Sequence, residues 1–103
     1  MTTTIWETGD TERIVVTVTE DGTNVDSLAG TIIEFALYND ETVVLSKDTA
    51  DFAASAPTFT CDLGATDLNG LSSGMYGYEV RVTDGSGNTQ SETGTVAIVG
   101  ITL

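Results

Sequence analysis

One stretch limits the fold of this chain more than any other: Leu71-Ser72-Ser73-Gly74-Met75-Tyr76-Gly77-Tyr78-Glu79-Val80-Arg81-Val82. Tyr76, Tyr78, Val80 and Val82 fall on one side of an extended backbone, and Gly77, Glu79, Arg81 and Thr83 fall on the other. That alternation predicts a strand with one dry face and one wet face. Ser72-Ser73-Gly74 predicts the bend that leads into it, because glycine accepts backbone angles that other residues avoid.

The same period recurs along the chain. Ile14, Val16 and Val18 are the inward residues of a strand from Arg13 to Thr19, and Ile33, Phe35 and Leu37 those of one from Thr31 to Tyr38. Phe59, Cys61 and Leu63 alternate over Thr58–Leu63, and a last strand from about Gln90 to Val99 turns Val96 and Ile98 inward. Thr42–Ser46 reads as a brief strand, and Lys47–Ala56 as a loop with room for one helical turn. Ala65–Gly70 reads as a further single turn. Turn residues cluster at Glu20–Asn24, Asn39–Glu41 and Asp84–Asn88. About seven short strands, turn signals at roughly ten-residue spacing and no amphipathic helix predict an all-β antiparallel sandwich over residues 1–103. A short N-terminal arm (1–8) and an apolar tail (100–103) flank it.

Tyr76 then stands where β-sandwich domains carry the tyrosine corner, whose hydroxyl bonds back to upstream backbone. The core aromatic on the third strand is Phe35 rather than tryptophan. Tyr78 takes the place of the second cysteine of antibody domains. The expected topology is immunoglobulin-like without immunoglobulin disulfide chemistry.

Charge narrows the partners. Sixteen acids against three bases, Arg13, Lys47 and Arg81, give a net charge of −13. A surface of that sign repels nucleic acid and anionic membranes. Acid in place of lysine throughout is also a halophilic pattern, weighed against an ordinary acidic, soluble protein. No apolar run approaches the ~18 residues of a membrane span, and the start lacks the basic and apolar regions of a signal peptide. Neither export nor membrane anchoring is expected.

Chemistry has few residues to work with. With no histidine and a single cysteine, catalytic triads, zinc sites and haem sites have no ligand set. Cys61 reads as a small core residue. Carboxylate pairs arise by chance among sixteen acids, so they do not argue for hydrolysis. Asp84-Gly85-Ser86-Gly87-Asn88, and Asp21 with Asn24 and Asp26, carry oxygens that could hold a hard cation. Thr89 stands where a calcium loop needs glycine, and a hairpin turn accounts better for the first of them. No catalytic, cofactor-binding or metal-ligating residue is assigned, and the chain is read as a non-enzyme.

Three segments carry a family resemblance. They are Gly9-Asp10-Thr11 followed by Ile14 and Thr17; Leu28-Ala29-Gly30-Thr31-Ile32-Ile33-Glu34-Phe35-Ala36-Leu37; and Leu71 through Asp84. In this order and spacing, across nearly the whole chain, they resemble the immunoglobulin-like domain at the N-terminus of phage baseplate upper proteins and in small proteins of tailed-virus particles. The resemblance implies a non-enzymatic structural protein of a virion, assembled in the host cytoplasm. Capsid decoration or cement is the favoured role, because a stand-alone domain suits many-copy display. A tail or baseplate position is the alternative. Implied partners are the major capsid protein or tail and baseplate proteins, with homo-oligomers open. The expected contacts are Thr3, Thr4, Ile5 and Trp6 in the arm, and Ile101 and Leu103 in the tail, while Phe35, Tyr76 and Tyr78 define the fold. For Trp6, capping the base of the core is weighed ahead of the docking role. The rival reading is a cellular immunoglobulin-like adhesion or carbohydrate-binding module.

Overall fold

The computed structural model describes residues 2–5, 12–63, 71 and 74–98, with backbone alone for 2–5, 12 and 98. The elements in chain order are β1 (Thr2–Ile5), β2 (Glu12–Thr17), β3 (Thr19–Glu20), β4 (Thr23–Asn24), β5 (Ile32–Asn39), β6 (Thr42–Asp48), a 3-10 turn (Thr49–Asp51), β7 (Ala53–Ser55), β8 (Thr58–Leu63), β9 (Gly74–Thr83) and β10 (Thr89–Ile98). They form two four-stranded antiparallel sheets, ordered β1-β2-β8-β7 and β10-β9-β5-β6, and the small β3-β4 ribbon. Those orders match the A-B-E-D and G-F-C sheets of immunoglobulin sandwiches, with β6 as one more strand beside C. Six of the eight principal strands fall where the sequence alternation predicts them, and β1 falls within the expected arm. The addition is β7.

The core lies between the sheets. Ile14, Val16, Phe59, Cys61 and Leu63 enter it from the first sheet, and Ile33, Phe35, Leu37, Tyr76, Val80 and Val82 from the second. The odd–even choice in each strand follows the sequence pattern, since a one-residue slip would send every apolar side chain outward. Val18 also stays buried although β2 ends one residue earlier, because its N–H donates to the Pro57 carbonyl at 2.9 Å. Tyr78 and Val96 are partly buried against this cluster.

The Lys47–Ala56 region departs from the loop reading. β6 continues to Asp48, and the turn that follows is fixed by a capping box. Asp48 Oδ1 accepts the Ala50 N–H at 3.0 Å, and Asp51 Oδ2 accepts the Asp48 N–H at 2.9 Å. The Thr49 hydroxyl accepts the Ile33 N–H at 3.0 Å and so extends the β5 ladder beyond the end of β6. This geometry turns Phe52 into the core, edge-to-face on Phe59 at 6.3 Å. β7 then pairs along β8. The one helical turn expected in this region is the 3-10 turn. The short, alanine-rich context conceals the strand and the buried ring from any periodicity.

Two turns explain themselves locally. Asp21 and Gly22 both take positive φ, +52° and +79°, as a two-residue type I′ hairpin requires. The Asp84–Asn88 turn joins β9 to β10 and is closed by backbone bonds Asp84 N–H to Asn88 O, 2.9 Å, and Gly87 N–H to Asp84 O, 3.0 Å. Among the described residues no helix is long and apolar enough to cross a membrane.

Candidate interaction surface

The first half of the expected arm is a strand. Thr2–Ile5 runs antiparallel to β2, with Thr3 opposite Val16, Thr4 opposite Val15 and Ile5 opposite Ile14. β1 is the outermost strand of its sheet, so Thr3, Thr4 and Ile5 stand at an edge of the sandwich. Trp6, Ile101 and Leu103 lie outside the described residues, as does the Ala65–Gly70 turn. The structure therefore brings Thr3, Thr4 and Ile5 together by backbone register.

Phe35 and Tyr76 lie in the core, and Tyr78 packs partly buried against it. Phe35 and Tyr76 are buried, at 2% and 4% exposure. Tyr78 stacks on Phe35 with ring centres 6.3 Å apart and planes 22° from parallel. Its ring leans across the sheet onto Gly94 of β10, which stands directly opposite it. A Cβ added at Gly94 would sit 2.7 Å from Tyr78 Cε2 and from its hydroxyl oxygen. No alternation rule announces this contact. Burial pushes the Tyr78 hydroxyl's pKa up, and the Glu92 carboxylate pushes it further the same way. Glu92 stands opposite Val80 on this face, and its Oε2 is buried without a hydrogen-bond partner.

At one end of the sandwich the β3-β4 ribbon, the 25–31 crossing and the 84–88 turn surround an open recess of about 730 Å³. Variable immunoglobulin domains place binding loops at the corresponding end. Its lining is hydroxyl- and amide-rich, with Glu20, Asp21, Asp26 and Asp84 as its acids and no aromatic ring. A second depression of about 450 Å³ crosses the outer face of β5, β6 and β9, beside Tyr38, Val43 and Glu79. Among the described residues no cluster of three or more acids, cysteines or histidines has metal-binding geometry.

No family model, curated protein or solved structure matches this chain. What points to function is therefore the set of its own residues, together with the sequence resemblance.

The Asp84 carboxylate is used within its own turn. Oδ1 accepts the N–H groups of Ser86 and Asn88, each at 2.9 Å, and Oδ2 accepts the Asn88 side-chain amide at 3.3 Å. The Asn88 N–H bond, ahead of the other donors, holds the carboxyl's pKa below its ordinary value of 3.8, against a smaller opposing desolvation. A depressed folded pKa adds stability that is present above the unfolded value and lost as pH falls through the folded one. Asp84→Asn keeps an acceptor and removes the charge. It should lower Tm at pH 7, and the gap from the parent should close as pH falls below 3.8 and through the lowered folded value, followed by circular dichroism. A gap that stays constant with pH would contradict the charge-assisted turn.

Proposed function

We propose that this chain is a non-enzymatic structural component of a tailed-virus particle, acting as a decoration or cement protein on the capsid exterior. The observation that carries the reading is the edge position of β1. Thr2–Ile5, the stretch that the sequence marks for contacts, lies at the margin of the sandwich and precedes Trp6 in the sequence. The remainder suits a block that is displayed rather than one that turns over substrate. No charged residue is fully buried among the described residues, and the ion pairs Arg13–Asp62 and Arg81–Glu79 lie at the surface. Arg13 bonds Asp62 across β2 and β8 at 2.7 Å with both side chains about half exposed, a geometry worth about 0–1 kcal/mol. The acidic surface disfavours the packaged nucleic acid as a partner and leaves other virion proteins.

Mass spectrometry of purified particles, separated into heads and tails, tests the assignment. Recovery of the chain with heads is the expected result, and recovery with tails would move it to the tail or baseplate. Deleting residues 1–6 should abolish incorporation while circular dichroism still reports a β-rich domain. Incorporation at the parental level would defeat the assigned role of the N-terminal stretch.

A further inference from the structure

Among the described residues, four strands stand at sheet edges, and three of them are poor templates for strand pairing with another chain. β7 has three residues, and β1 has four among the described residues. β6 is interrupted by a register shift opposite Leu37 and Tyr38 and carries Lys47 and Asp48 at its end. Short length, bulges and charge are the usual devices that keep an edge from pairing. β10 has almost none of them. It runs ten residues in unbroken register with β9, from Thr89 opposite Thr83 to Ile98 opposite Gly74. It contains no lysine and no proline. Among the described residues, no strand pairs with its other side.

The charge distribution is equally uneven. The chain carries sixteen acids, yet Glu92 is the only charged residue of β10. The outward residues Thr89, Ser91, Thr93, Thr95 and Ala97 are neutral, and all five are exposed. Glu92 points to the inner side, and its Oε2 is already buried within a single chain. Its desolvation is therefore incurred before any partner arrives.

We infer that β10 is a self-association edge: two copies pair their β10 strands antiparallel about a twofold axis near Thr93 and Gly94, joining two four-stranded sheets into one of eight. An isologous contact requires a surface complementary to itself, and β10 meets that condition. Centred on Thr93, the pairing sets Thr93 against Thr93, Ser91 against Thr95 and Glu92 against Gly94. Centred on Gly94, it sets Thr93 against Thr95 and Glu92 against Val96. Threonine and serine pairs of this kind are favourable across strands, and in neither register does Glu92 face its own copy. A basic partner segment, in contrast, would find no carboxylate on the outward face of this edge. The inference is independent of the virion assignment, since it concerns the isolated protein.

Net charge opposes association at low ionic strength, and added salt weakens that opposition. The screening length falls from about 10 Å at 0.1 M to about 3 Å at 1 M. Sedimentation equilibrium of the full chain at these two salt concentrations is the test. The expected result is a reversible dimer that strengthens with salt. Thr93→Glu with Thr95→Glu puts like charges across the axis and should weaken it at least about tenfold, roughly 1.4 kcal/mol. Thr42→Glu with Ala54→Glu adds the same charge at the opposite edges of the two sheets and should leave most of the dimer intact. Circular dichroism confirms that each variant folds. A monomer throughout in 1 M salt, or equal weakening by both pairs of substitutions, would overturn the inference.

Discussion

Phe35→Ala is expected to lower stability by about 3–5 kcal/mol, the range for emptying a large aromatic site in a packed core. A domain of this size has only about 5–15 kcal/mol in total. At about 4–8 °C per kcal/mol, the melting temperature should fall by tens of degrees. The size of the effect follows from where the ring sits. Phe35 is 2% exposed, in the middle of β5 with β9 on one side and β6 on the other, and its ring stacks on Tyr78. Emptying the site removes that contact, and the flanking strands hold the cavity open. A control lies in the same strand. Ile32 faces outward at 53% exposure, so Ile32→Ala should change stability by no more than about 0.5 kcal/mol. Urea denaturation of both variants measures the contrast. Equal effects would mean that β5 does not present its odd-numbered side chains to the interior.

That contrast depends on a pattern visible in the sequence. Where apolar and polar residues alternate without interruption, as in β8 and β9, the alternation alone identifies the core side chains. The strand expected over Thr58–Leu63 is β8, with the same bounds. The period-2 pattern works there because each strand has one face toward the opposing sheet. It fails where a strand is too short to show a period. β7 is Ala-Ala-Ser, all three residues are exposed, and nothing in them differs from a loop. Phe52 is a lone aromatic amid polar residues, and its burial follows from the capped turn before it and the Phe59 ring opposite. The small β3-β4 ribbon is legible in the sequence only as its Asp21-Gly22 turn.

The interaction surface is less legible than the core, for a physical reason. Composition marks which residues could make contacts, but edge position is a property of the assembled sheet. Thr2–Ile5 is threonine-rich and extended by sequence as well as by structure; that it occupies the outer place beside β2 depends on the partners of β2 and β8. β10 makes the same point more strongly. Its neutral character is present in the sequence, yet it becomes significant only because the other three edges are short or interrupted. Sheet order decides which of several similar strands faces outward.

The contact between Tyr78 and Gly94 leads to the second large expected effect. Glycine in a strand interior costs roughly 0.5–1 kcal/mol relative to alanine, so Gly94→Ala taken alone should stabilise β10. The ring reverses that expectation. A methyl group at Gly94 would stand 2.7–2.8 Å from three atoms of the Tyr78 ring and hydroxyl, well inside contact distance. Tyr78 would have to swing away and give up its stacking on Phe35. Overpacking of this kind costs about 1–3 kcal/mol, so the single variant should be destabilised. In a Tyr78→Ala background the obstruction is gone, and Gly94→Ala should become neutral or mildly stabilising. The double-mutant cycle therefore predicts a coupling of about 1–3 kcal/mol between directly opposed residues, which is the range for contacting side chains. Chemical denaturation of the parent, both single variants and the double variant measures it. Additive effects would show that the ring does not rest on Gly94, and the support it gives to the long edge strand would have to come from elsewhere.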